Sequence, residues 1–120
     1  SHHALGLALV RQKRTVEAIE SLHLAADLDP DDVRFSYVYA VALMTASHDN
    51  EAMDVLRTAH QKHPGNRDLL IAMMTFSRDR GKIDQAIDYA EKLLALDPQD
   101  MSTRRLIDEL KHQSSTRNGA

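Results

Sequence analysis

An all-α architecture built from repeated helical pairs is the fold class that this sequence predicts, and three observations predict it. Prolines recur at Pro30, Pro64 and Pro98, at a constant interval of 34 residues. The segments that lead into them, AIESLHLAADLDP, AMDVLRTAHQKHP and AIDYAEKLLALDP, share their first alanine, their apolar rhythm and their closing proline. Inside them, apolar residues fall at i, i+4 and i+7, the spacing of one face of a helix. Three copies of one unit follow, and a unit of this kind buries its apolar face by stacking on neighbours.

In chain order, residues 2 to 12, HHALGLALVRQ, place Leu5, Gly6 and Leu9 on one face of a first helix. The column at this point of the repeat reads Gly6, Ala40, Met74. Its last member is large, so the third pair is expected to be splayed or repacked there. Second helices are predicted to begin near Thr15, Asp49 and Ile83, with Glu17 and Glu51 suited to the positive end of the helix dipole. Their buried faces should be Ala18, Leu22, Ala25, then Ala52, Leu56, Ala59, then Ala86, Ala90, Leu93. In the third copy the large residue has moved one turn on, with total volume roughly kept.

Proline removes a backbone donor and pushes the residue before it out of helical geometry, so each second helix should stop there. Two residues later, Asp32, Asn66 and Asp100 are good N-caps for the helices that follow. Between the two helices of a pair, Gly81 suits a left-handed C-terminal residue. Lys13 and Ser47 stand in the same column, which predicts slightly strained turns.

After Pro98, MSTRRLIDELKHQ predicts one more helix, with Leu106, Ile107 and Leu110 on a narrow apolar face, as expected of a terminal cap. The expected organisation is one domain over 1–113, with repeats at about 1–32, 33–66 and 67–100, a capping helix at about 101–113, and a disordered tail at 114–120. The first helix starts without an N-cap, from which a longer protein with upstream domains is expected.

A 34-residue unit of two helices closed by proline resembles the tetratricopeptide repeat. That resemblance implies a right-handed superhelix of about three stacked hairpins plus a capping helix. It also implies a non-catalytic module that binds a protein or peptide segment along its first helices. Carried over residue by residue, the implied groove takes His3, Leu7, Val10 and Arg11 from the first helix. Arg34, Tyr37, Val41, Met44 and Thr45 come from the second and Asp68, Ile71, Thr75 and Arg78 from the third, with Arg105 and Glu109 on the cap. Members that clamp a terminal carboxylate use Lys and Asn where this chain has His3, Leu7, Tyr37 and Val41, so an apolar segment is the expected partner. Leu7, Val41 and Ile71 suit contacts between neighbouring first helices equally well. Tyr37 and Met44, amphipathic and adaptable, are the stronger candidates. The stretches HHALGLALVRQ and DPDDVRFSYVYAVAL also look like the C-terminal repeat module of bacterial proteins that carry c-type haem segments upstream. That likeness implies an exported, periplasmic parent rather than a cytoplasmic one.

Composition narrows the function classes. The 120 residues are 42% hydrophobic and 28% charged with net charge −3, and basic residues are scattered, which argues against a nucleic-acid footprint. The longest apolar run, YVYAVALM, is far short of a membrane span of about 20 residues. Absence of cysteine removes disulfides and thiolate chemistry and leaves the compartment open. Seven histidines invite a metal reading, but His60 and His63 lack a third convergent ligand, and no metal or other cofactor is expected. The carboxylates of DPDD and DPQD are explained by capping, and no nucleophile, base and acid constellation is present, so catalysis is not expected. A rival to groove binding is self-association, with the exposed first hairpin pairing with a second copy as a homodimer.

Overall fold

In the computed structural model of the protein, the backbone is described for residues 2–29 and 31–119 and side chains for 14–25, 27–29 and 31–116. The described residues form six α-helices and no strand: α1 (His2–Leu28), α2 (Val33–Thr45), α3 (Asp49–Lys62), α4 (Arg67–Asp79), α5 (Ile83–Leu96) and α6 (Met101–Gly119). They fall into two compact units, Ser1–Lys62 and His63–Ala120.

In the first unit α1 packs on α2, and α2 on α3. α2 begins where its sequence says it should, with Asp32 in extended geometry accepting a hydrogen bond from the Arg34 amide at 2.9 Å. It ends in a left-handed turn. The Ser47 amide donates to the Met44 carbonyl at 3.0 Å and the His48 amide to Leu43 at 2.8 Å, while Ser47 itself takes φ 65°. This is the doubled cap that glycine usually supplies. Asp49 and Glu51 then occupy the first turn of α3, where negative charge is favoured. Ala52, Leu56 and Ala59 are buried as expected, together with Ala40 and Leu43 of α2.

The first repeat departs from expectation. α1 is a single 27-residue helix, without the turn expected at Lys13 or a new start near Thr15. A turn needs a residue that accepts the left-handed conformation, and lysine, a good helix former flanked by Gln12 and Arg14, does not. The expected buried stripe is correspondingly weak: Leu22 and Ala25 are half-buried, but Ala18 is exposed. Pro30, and the side-chain packing of His3, Leu5, Gly6, Leu7, Leu9, Val10 and Arg11, lie outside what is described.

In the second unit α4 packs on α5, and α5 on α6. Asn66 caps α4 through the Leu69 amide at 3.1 Å. The turn after α4 repeats the Ser47 geometry with Gly81 at φ 77°, its amide bonded to Arg78 at 3.0 Å and that of Lys82 to Ser77 at 2.9 Å. Met74, Ala86, Ala90, Ile107 and Leu110 form one buried cluster, flanked by Ile83, Ile87, Tyr89, Leu94 and Leu106. The expected repacking around Met74 is thus achieved with alanines opposite it.

Asp100 starts α6 by accepting from the Ser102 amide at 3.0 Å, the Thr103 amide at 3.2 Å and the Thr103 hydroxyl at 2.8 Å. The same carboxylate meets Arg67, at the start of α4, at 3.2 Å. Helix α6 continues through Gly119 instead of ending near 113, so the segment expected to be a disordered tail is helical as far as it is described. Within the extension the Ser114 hydroxyl donates to Asp84 of α5 at 3.2 Å, and just before it Lys111 meets Glu91 at 3.7 Å.

Candidate functional site

The sequence-predicted residues whose side chains are described lie on α2, α4 and α6. Tyr37 on α2, Ile71 on α4 and Arg105 on α6 are 34 residues apart. Within its own unit each is exposed, Tyr37 by 37% and Ile71 by 40%. Val41 follows Tyr37 one turn on and is also exposed, and Thr75, its counterpart beyond Ile71, is half-buried. Met44 and Arg78 form the next column, both half-buried. Val41 and Ile71 are exposed by 41% and 40%.

The polar residues around this register are held locally. Arg34 folds back on Asp32 at 3.3 Å, and this guanidinium holds the Asp32 carboxyl below its ordinary value. The Thr45 hydroxyl donates to the Val41 carbonyl at 2.9 Å, and Arg78 meets Asp79 at 3.6 Å. Asp68 and Glu109 are exposed. The pattern is apolar surface on α2, an isolated isoleucine on α4 and charge on α6.

Two features escaped the sequence reading. Val38 adds a third exposed apolar residue beside Tyr37 and Val41. Its signal was present in the unbroken run YVYAVALM, which is too apolar for a helix with a single buried face. The other is a crevice of about 320 Å³ in the first unit, where the rings of His23 and Tyr39 stack with centroids 5.5 Å apart. Residues this far apart in sequence carry no local signal of meeting. A second crevice, of about 550 Å³, lies in the second unit beside Arg78, Ile83 and His112. Among the described residues no group of three or more His, Asp or Glu side chains is placed to hold a metal ion, and no helix is long and apolar enough to cross a membrane.

Paired helices with alanine seams, proline-terminated second helices and one constant period define a helical-repeat protein. Residues 76–100 match the family model described as "Tetratricopeptide repeat". One repeat of this kind is thus recognised in the sequence, within a chain of helical-repeat fold. No curated protein matches the sequence.

Among solved structures, a MamA protein superposes with a TM-score of 0.71 at 22% identity, covering 88% of this chain and 57% of that one. The first repeat domain of Spaghetti (RPAP3), bound to the HSP90 peptide SRMEEVD, gives 0.69 at 16% identity, covering 92% and 87%. MamA 41-end from Desulfovibrio magneticus RS-1 gives 0.66 at 16%, covering 92% and 62%. The present chain therefore spans little more than half the length of the MamA chains it resembles. Neither the family model nor these structures support the likeness to haem-bearing proteins.

Proposed function

We propose that the chain is a non-catalytic protein-interaction module whose apolar first-helix face, centred on Tyr37 and Val41 of α2, receives a segment of a partner protein. The observation that carries the reading is the exposure of Tyr37, Val38 and Val41 on a helix that is otherwise firmly packed through Ala40 and Leu43. Ile71 continues the same register in the next pair, Arg105 supplies charge at that register and Arg34 does so one turn before Tyr37. The groove residues His3, Leu7, Val10, Arg11, Met44, Thr75 and Arg78 belong to this proposal as well. A solved relative by fold, the first repeat domain of Spaghetti, is bound to a peptide, which supports the class of function. Each apolar anchor fully buried by a partner contributes roughly 1.5–3 kcal/mol. The test is a pull-down from the source lysate with Tyr37→Ala/Met44→Ala beside the unaltered protein. Loss of the captured partners is expected, and an unchanged set would exclude this face.

One observation favours self-association as a second reading. Helix α1 carries Leu24 and Leu28 at 62% and 85% exposure, more than the α2 residues show. Sedimentation distinguishes the two: a dimer that dissociates on Leu24→Glu supports pairing through α1, and a monomer at all concentrations removes it.

A further inference from the structure

The crevice in the first unit is chemically unlike the apolar face of α2. The stacked rings of His23 and Tyr39, inclined by 27°, form part of its lining. Carboxylates in the lining are Asp27, one turn beyond His23 on α1, and Asp54 on α3. Each already makes one pair, Asp27 through Oδ2 with His23 Nε2 at 3.3 Å and Asp54 through Oδ1 with Arg57 at 3.6 Å, which leaves the second oxygen of each outside that pair on side chains 65% and 75% exposed. The Tyr39 hydroxyl pKa is raised by burial first and then by the negative charges of Glu51 and Asp27. Among the described residues Lys62 is the one lysine or arginine in the lining, with Arg57 beside it on Asp54.

Aromatic faces attract cations, and they do so more strongly where carboxylates complete the surroundings. A planar guanidinium gains twice here, by resting on an aromatic face and by directing N–H groups at carboxylates on either side. We propose that the crevice framed by the His23–Tyr39 stack, Asp27 and Asp54 receives a cationic side chain of a partner polypeptide, arginine in preference to lysine. The occupant is an organic cation, because the crevice is open and no metal-binding group of acids or histidines is assembled there among the described residues. The site uses a different face of α2 from Tyr37 and Val41, so it stands independently of the apolar surface.

The experiment is an NMR titration of isotope-labelled protein with N-acetyl-arginine methylamide, its lysine analogue and the uncharged norleucine analogue. Saturable shifts at Tyr39, Asp54 and Thr58 are expected with the arginine compound, weaker ones with lysine and none with norleucine. The double variant Asp27→Asn/Asp54→Asn, whose altered side chains are exposed, should fold normally and bind about tenfold more weakly. Tyr37→Ala should leave the titration unchanged. An equal response to norleucine, undiminished affinity in the double variant, or loss of the response in Tyr37→Ala would each overturn the proposal.

Discussion

Met74 on α4 and Ala90 on α5 are buried in one cluster, and one repeat earlier the same two positions hold Ala40 and Leu56, also buried. The two pairs exchange large for small. In the first pair the bulk stands on the second helix, in the next on the first helix, and the seam closes in both. The expected consequence is strong coupling. Met74→Ala alone should cost about 2–5 kcal/mol by opening a cavity, and Ala90→Leu alone about 1–3 kcal/mol by overpacking. The double variant, which copies the arrangement of the preceding pair, should cost less than the sum of the two, with a coupling energy of about 1 kcal/mol or more in urea unfolding. Simple additivity would mean that the two side chains do not share the seam.

Ser47 and Gly81 take nearly the same backbone conformation, at φ 65° and 77°, and only one of them is glycine. A side chain in the left-handed region costs roughly 1–2 kcal/mol. Ser47→Gly is therefore expected to raise the unfolding free energy by about 1 kcal/mol and Gly81→Ala to lower it by a similar amount. Denaturant midpoints with unchanged slopes would verify both.

Ser77 stands where the preceding pair has Leu43, and its hydroxyl is buried without a hydrogen-bond partner among the described residues. An unmet hydroxyl loses its hydration and gains nothing in return. Ser77→Ala is expected to raise stability by roughly 1 kcal/mol, read as a higher melting temperature. A fall would show that the hydroxyl is satisfied in solution.

The Asp100 carboxyl is held below its ordinary value of 3.8 by the Thr103 hydroxyl first, then by the Thr103 amide, with Arg67 adding to both. A lowered folded-state pKa means that the ionised form stabilises the fold. This contribution is complete above the unfolded-state value of about 4 and is lost as pH falls through the lower folded value. Compared with Asp100→Ala, the native protein should hold a constant stability advantage near neutral pH. The advantage should shrink progressively below about pH 4. An advantage that persists undiminished at pH 2 would contradict the assignment.

The sequence showed most of what repeats. The proline interval marked the unit, Asp32, Asn66 and Asp100 act as caps as their positions imply, and the Ala52, Leu56, Ala59 and Ala86, Ala90, Leu93 seams are buried. These features are local or periodic, so a single chain displays them. The misreadings arose where one copy differs from its siblings. Lys13 shares a column with Ser47 and Gly81, and periodicity suggested a turn there, but a long good helix former has no way to take the left-handed conformation cheaply. Helix α6 runs past its apolar residues, where Lys111 and Ser114 reach Glu91 and Asp84, contacts that hydropathy does not report. The His23–Tyr39 crevice needed two helices brought side by side, and only the register of Tyr37, Val41 and Ile71 within the candidate face was legible beforehand.

The central claim is that the exposed first-helix face is where a partner lies. Amide hydrogen exchange, compared between the free protein and its complex with the captured partner, tests it most directly. The account predicts slowed exchange concentrated in residues 34–45, with further protection at the Ile71 turn of α4. Unchanged exchange across α2, with protection confined to α1 or to α5, would contradict it.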